Sequence, residues 1–233
     1  MPVRKMIPAV AKRKYPQQPE SFNKTVRSIY RKLFSFYGPR GWWPGDSPFE
    51  VAVGAILTQN TNWSNVEKAI GNLKLHDVLG AESLNEMPDQ RLAQLIRPAG
   101  YYNIKTKRLK AFLRFLMDEY GGDMARMAGT PTDRLRRDLL AINGIGKETA
   151  DSILLYALER PVFVIDAYTK RVMSRHGIMD AAASYDEYQD LFHSSLDSDT
   201  VLFNEYHALI VNVGKEFCKP QPRCNGCPLE NNK

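Results

Sequence analysis

Cysteine is absent from the first 217 residues of this 233-residue chain. Its three cysteines, Cys218, Cys224 and Cys227, lie together near the end. A chain of this size can bury a sizeable core without a disulfide scaffold, and thiols used only for packing would be scattered, so the clustering points to metal. Long hydrophobic runs are missing too: no apolar stretch approaches the roughly 20 residues of a membrane span, and no signal-peptide pattern opens the chain. Strand signals are few, and there are no internal repeats. One charge sign is missing over a long stretch: between Arg91 and Met117 stand Arg91, Arg97, Lys105, Lys107, Arg108, Lys110 and Arg114, with no acid among them. Alone, such a run reads as a solvated helix face; beside a phosphate site it reads as a surface for nucleic acid.

What is present is ordinary for a globular protein, with 43% hydrophobic and 25% charged residues. The net charge is +6, of which Arg4, Lys5, Lys12, Arg13 and Lys14 alone supply five units. The body is therefore nearly neutral, and its charge acts through its pattern. Residues 1–20 read as a basic, proline-broken, disordered tail adding non-specific affinity. The expected compartment is the cytoplasm, with the chromosome.

Helical periodicity dominates. Phe49, Ala52, Val53, Ile56 and Leu57 form one stripe, and Val66, Ala69, Ile70 and Leu73 another. Leu109, Phe112, Leu113 and Leu116 follow, then Leu135, Leu139 and Leu140, and late in the chain Tyr206, Leu209, Ile210 and Val213. Breaks fall at Gly38-Pro39, Trp43-Pro44, Met87-Pro88, Arg97-Pro98, Gly121-Gly122 and Thr130-Pro131. The fold class is all-α.

The richest segment is LLAINGIGKETADSILLYALERPVFVID, Leu139 to Asp166. Gly144, Ile145 and Gly146 make a turn whose N–H groups, with the following helix's own unpaired N–H groups and positive dipole end, suit a nucleic-acid phosphate. The helix is marked by Ala150, Ile153, Leu154, Ala157 and Leu158. Asp166 follows an apolar run, where partial desolvation makes a carboxylate a better base or electrostatic partner. As structure alone, it would cap the next helix.

LLAINGIGKETA resembles the helix-hairpin-helix of the endonuclease III (HhH-GPD) superfamily of DNA glycosylases. VIDAYTKRV resembles the stretch carrying their catalytic Asp, and AILTQNTNWSNVEKAI and AGYYNIKTKRL match two further motifs in order. The resemblance implies a two-domain helical fold with DNA bound over the cleft: residues 49–158 as a central domain, 21–48 plus 159–217 as a second, and 218–233 as a cysteine loop. It makes Asp166 the catalytic carboxylate, which stabilises a cationic sugar and orients water. The lyase lysine of the superfamily falls on Glu148. Lys147, one residue earlier, points about 100° away on a helix, so the resemblance implies base excision without strand nicking. Gln59 of LTQNT would fill the hole left by the flipped base, and Tyr101 would wedge into the duplex; polar helix structure and plain core are the structural readings of these two. Gly144, Ile145, Gly146, Lys147, Lys105, Lys107 and Arg108 would meet DNA.

Trp42, Trp43 and Trp63 resemble the aromatic pocket of the branch that removes 3-methyladenine, where a π-rich pocket attracts a cationic base; core packing is the structural alternative. That branch also has Glu at the position of Glu148, and its pocket lysine matches Lys215. Cys218, Cys224 and Cys227 resemble the loop holding a [4Fe–4S] cluster, but the first gap is one residue short and the fourth ligand position falls on Lys233. The cofactor implied is a [4Fe–4S] cluster of structural role on three thiolates, with zinc or decay of the site as alternatives. The implied partner is double-stranded DNA carrying a damaged base, bound by a monomer away from membranes. Rival functions are a glycosylase for oxidised pyrimidines or mismatched thymine or uracil, a non-catalytic helix-hairpin-helix binding module, and a metal protein whose DNA motifs are incidental.

Overall fold

The computed structural model describes residues 20–42 and 45–230, and every regular element among them is helical. In order these are α1 (Glu20–Tyr37), α2 (Pro48–Leu57), α3 (Trp63–Leu75), α4 (Ala81–Glu86), α5 (Asp89–Leu95), a 3₁₀ turn (Arg97–Ala99), α6 (Tyr102–Tyr120), α7 (Met124–Ala128), α8 (Thr132–Ala141), α9 (Lys147–Ser152), a π segment (Ile153–Ala157), α10 (Ala167–Arg175), α11 (Tyr185–Ser195) and α12 (Thr200–Glu216). The basic tail and Trp43-Pro44 lie outside the described residues.

The punctuation of the sequence sets the boundaries. Gly121 takes a left-handed conformation at the end of α6 (φ 62°), and Met87-Pro88 separates α4 from α5. N-caps start the helices: Ser47, Asn62, Asp123, Asp166 and Asp199 each accept a hydrogen bond from their own first turn, and Ser184 with Glu187 forms a full capping box.

The stripes face the core as their spacing requires. Leu109, Phe112, Leu113 and Leu116 of α6 are fully buried, as are Tyr206, Leu209, Ile210 and Val213 of α12. Helix α2 departs from a one-sided stripe, since residues 50–57 are all buried. Even Glu50 is inside, with its carboxylate 2.7 Å from Lys74 Nζ. Helix α2 packs against α3, α6, α9 and the π segment, whereas α1 packs against α11 and α12, and α10 against α12. Gly214 permits that last contact: a Cβ there would stand 2.6 Å from Tyr168 Cδ1.

Two features differ from the periodic reading. The helix after the hairpin is not regular throughout: at Ile153–Ala157 it widens to a π turn, with Leu158 N donating to Ile153 O at 3.1 Å. The apolar run ending at Asp166 then carries no regular element and is buried, with Val162 to Ile165 all inside. Its backbone is served by α11 instead. His193 Nε2 accepts from Phe163 N, Gln189 Nε2 donates to Phe163 O, and Tyr185 Oη accepts from Ile165 N. Phe163 stacks on Phe192 at 3.8 Å, and burying such a side chain contributes about 1.5–3 kcal/mol.

Candidate active site

The site forms where the hairpin, the irregular segment ending at Asp166 and α12 meet. Asp166 caps α10: its Oδ1 accepts from Thr169 N at 2.7 Å. The cap uses one carboxylate oxygen, Oδ1, so capping by itself does not exclude a chemical role for Oδ2. Oδ2 lies 3.7 Å from His207 Nε2, and the Asp166 side chain is 13% exposed. Burial pushes its pKa up, but His207 and the Thr169 N–H outweigh burial and hold it below the usual carboxylate value.

Glu148, in the first turn of α9, opens to solvent at the mouth of the site. The protein walls around it and the nearby Asp166 carboxylate push its pKa up to about 7, against a smaller opposing pull from His207. The two carboxyl groups are therefore split: Asp166 is held ionised, while Glu148 takes up a proton near neutrality.

The hairpin is built around Gly144, whose φ is +86°. A Cβ there would collide with Arg108 Cγ at 2.3 Å. Arg108 in turn donates to Gln59 Oε1, and Gln59 Nε2 donates to Gly144 O (3.1 Å) and Thr149 Oγ1 (2.9 Å). Gln59, Arg108 and Gly144 thus form one knot. Within the loop Ile145 is buried and its N–H is taken by Ile142 O at 3.0 Å, so it cannot also meet a phosphate. The free end of the turn is the start of α9 at Gly146.

Other candidate residues divide. Tyr101 is 68% exposed in a left-handed conformation (φ 45°), just ahead of α6, as a wedge requires. Lys107 is exposed. Lys105 is not a DNA contact: it is 1% exposed, and its ammonium donates to Leu57 O (2.8 Å) and Ala99 O (2.7 Å). Burial, aided by Arg108, lowers its pKa to about 8. Lys110 is likewise inside, bound to Asn85 O and Met87 O. The sequence shows both lysines in a basic run, but α6 turns them onto its core side. Lys147 reaches α11, where its Nζ sits 2.6 Å from Asp186 Oδ2.

Of the aromatic residues, Trp42 is partly buried and Lys215 Nζ stands 5.6 Å from its ring, so these two predicted residues do meet. Trp63 begins α3, partly buried, with Nε1 donating to Glu67 Oε1. Trp43 lies outside the described residues.

Cys218 is buried, Cys227 partly so and Cys224 exposed. Burial raises the Cys227 pKa, with the neighbouring Cys224 and Cys218 adding to the rise. Among the described residues no group of three or more His, Cys, Asp or Glu side chains is arranged to hold a metal ion, and Lys233 lies outside them. Three thiols do not fit a closed four-donor centre. The loop is already pinned by α10: Arg171 donates to Cys218 O and Gly214 O, and Arg175 to Lys219 O and Pro220 O.

Residues 53–197, more than half of the chain, match the family model described as HhH-GPD superfamily base excision DNA repair protein. The chain belongs to the HhH-GPD superfamily. This HhH-GPD protein is a base-excision-repair DNA glycosylase. It is 50% identical over 207 residues to a protein of Methanocaldococcus jannaschii named as a DNA repair glycosylase, covering 88% of this chain and 94% of that one. It is 30% identical over 186 residues to endonuclease III of Thermotoga maritima, covering 79% and 81%. Among solved structures, the 3-methyladenine DNA glycosylase of H. pylori bound to 1,N6-ethenoadenine is 27% identical with a TM-score of 0.70, covering 84% of this chain and 96% of that one. An endonuclease III–DNA complex, 22% identical, shares the HhH-GPD fold with a TM-score of 0.76 over 90% and 94%. No helix among the described residues is long and apolar enough to cross a membrane.

Sequence reasoning missed His207 and Tyr156. His207 Nδ1 is 2.5 Å from Tyr156 Oη, and both side chains are buried beside Asp166. The available signal was a histidine set inside the apolar run of α12, YHALIV. A second omission is the buried group around Asp151, which accepts two bonds from Arg136 and one each from Gln189 and Tyr185. That group ties α8, α9 and α11 together beneath the site.

Proposed function

We propose that this glycosylase is monofunctional and hydrolyses the N-glycosidic bond of an alkylated purine, with 3-methyladenine the best single substrate. The observation that carries the reading is the pair Asp166 and Glu148: an ionised carboxylate stands in the catalytic position, and a second carboxyl, not an amine, stands where a lyase lysine would be. Lys147 stands one residue earlier on α9 and its Nζ lies 2.6 Å from Asp186 Oδ2, which supports the monofunctional reading. The glycosidic electron pair leaves with the base, charge builds on the sugar, and Asp166 stabilises it; a water oxygen then bonds to the anomeric carbon and passes its proton to the Asp166 carboxylate, which releases it to solvent.

In this reading, Gln59 fills the vacated stack and Tyr101 enters the duplex, while the start of α9, Lys107 and the other exposed bases hold phosphates. The flipped base lies in the cleft between residues 49–158 and the unit formed by 21–48 with 159–217. In this reading Trp42 and Trp63 line its pocket with Lys215. The likeness to the H. pylori 3-methyladenine enzyme, at 27% identity, supports the substrate class. A [4Fe–4S] cluster, if bound, would be held by the Cys218, Cys224 and Cys227 thiolates and would serve a structural role; no step of the reaction uses it.

The test is a panel of duplexes, each with one lesion: 3-methyladenine, 1,N6-ethenoadenine, thymine–guanine, uracil–guanine and an oxidised pyrimidine. Abasic sites are scored with and without alkali. Alkylated purines should yield strand breaks only after alkali, and Trp63→Ala should lose their excision far more than binding to undamaged DNA. Processing of the mismatch or oxidised duplexes while alkylated DNA stays intact would overturn the substrate. Asp166→Asn should bind DNA and not excise; wild-type excision by that variant would remove Asp166 from the mechanism.

A further inference from the structure

His207 is buried in the middle of α12, 5% exposed, in an otherwise apolar stretch. One ring nitrogen, Nδ1, is 2.5 Å from the buried hydroxyl of Tyr156. The other, Nε2, is buried without a hydrogen-bond partner and lies 3.7 Å from Asp166 Oδ2. A buried polar atom left unpaired in a native protein calls for an explanation. Tyr156 owes its place to the π segment, whose widened turn presents it toward α12.

The chemistry of the imidazole links these facts. A phenol hydroxyl that donates to Nδ1 makes that nitrogen the acceptor, which leaves the ring proton on Nε2. That N–H would lie 3.7 Å from the Asp166 oxygen that the helix cap does not use. At 3.7 Å the gap is longer than a hydrogen bond, and catalytic hydrogen bonds commonly tighten when substrate binds.

We propose that Tyr156 and His207 form a relay that positions Asp166: Tyr156 sets the tautomer, and His207 Nε2–H closes on Asp166 Oδ2 as the sugar becomes cationic, fixing the carboxylate's orientation. Oδ1 is already fixed by Thr169 N, so the closing bond immobilises the carboxylate at both oxygens. His207 touches neither substrate nor leaving base; it acts through Asp166, and the inference rests on the assignment of Asp166 above.

The test compares the whole protein with His207→Phe, His207→Gln, Tyr156→Phe and Asp166→Asn. Two quantities are measured on whichever panel duplex the wild-type protein processes: the single-turnover excision rate at saturating protein, and the dissociation constant for the undamaged duplex. Losing one hydrogen bond to a charged group should slow His207→Phe roughly ten- to hundredfold at unchanged DNA affinity. Glutamine places an amide N–H near the former Nε2, so His207→Gln should stay within about fivefold of wild type. Tyr156→Phe is isosteric and frees the tautomer, and it should slow excision about three- to tenfold. If His207→Phe does not fold, the other two variants decide. Wild-type rates in His207→Phe and Tyr156→Phe overturn the relay. So does a His207→Gln rate that falls as far as that of His207→Phe, or a loss that tracks DNA affinity. Asp166→Asn separates the two claims: if it is inactive while the relay variants are at full rate, only the relay fails, and if it is active, the assignment of Asp166 fails first.

Discussion

Gly144 and Gly146 flank one residue in the hairpin, yet replacing them should have opposite weight. At Gly144 the backbone has φ +86°, and an added Cβ would come 2.3 Å from Arg108 Cγ and 2.9 Å from Cδ and Nε. The left-handed conformation costs an L-residue about 1–2 kcal/mol. The collision is with the root of the Arg108 side chain, so the arginine must leave its rotamer and release Gln59 Oε1. A hydrogen bond from a charged donor is worth about 1.5–3 kcal/mol. The sum for Gly144→Ala is about 2.5–5 kcal/mol, before any relaxation of the loop. At roughly 2–4 °C per kcal/mol for a chain of this size, thermal unfolding should move down by about 5–20 °C. At Gly146 φ is −88° and nothing lies within 4 Å of the added Cβ. There the poorer cap and the stiffer unfolded chain offset each other to within about 1 kcal/mol. Scanning calorimetry of the two variants, with duplex binding by anisotropy, decides. Equal unfolding temperatures for both would refute the argument that Arg108 and Gly144 are packed to contact.

Glu148 gives a pH dependence with a defined sign. Its acid is raised to about 7, so it is neutral below that and adds a negative charge beside the hairpin above it. Duplex affinity should weaken as pH rises from 6 to 8, and Glu148→Gln should flatten the curve; an unchanged slope in that variant refutes it. For stability, the folded protein holds this proton from about 4.5 up to about 7, where the unfolded chain has lost it. That contribution is complete below about 4.5 and is lost as pH rises through 7. Borohydride should trap no useful amount of protein on DNA, and trapping that disappears in Lys147→Ala would show residual lyase chemistry. The log–log salt slope of duplex binding should be steeper than about −4, and Lys107→Ala should reduce it by about 1; a salt-independent affinity would remove the phosphate contacts. Purified protein should absorb near 400 nm and lose that band in Cys224→Ser, whereas colourless protein with stoichiometric zinc would place zinc there, and colourless metal-free protein would mean an empty site.

Much of the fold could be read from one sequence because helical stripes and their stops are local. The stripes of α6 and α12 and the breaks at Met87-Pro88, Gly121-Gly122 and Thr130-Pro131 needed no knowledge of neighbours. Asp166 could be singled out as a candidate because its motif is contiguous. Lys105 and Lys110 could not be told from Lys107 by charge pattern, since which side of α6 is covered depends on where α2, α4 and α5 pack. The π segment was invisible for a related reason: apolar spacing at Ile153–Ala157 fits a regular helix, and only the bond from Leu158 N to Ile153 O shows the extra width. Tyr156 and His207 are separated by fifty-one positions, and their pairing appears only once α12 lies across the π turn.

The buried ammonium of Lys105 sets a distance. Leu57 O lies just ahead of the turn that presents Gln59, and Ala99 O just ahead of the turn that presents Tyr101; one nitrogen bonds both. The two elements assigned to enter the duplex are therefore spaced by a single atom, from below. With its acid lowered to about 8, Lys105 can lose a proton in mildly alkaline solution, but a neutral amine keeps two N–H donors for two acceptors. The span survives the change of charge. Either turn can vary in sequence as long as those two carbonyls stay in place, so the residues proposed to probe the stack can change while the gauge between them does not.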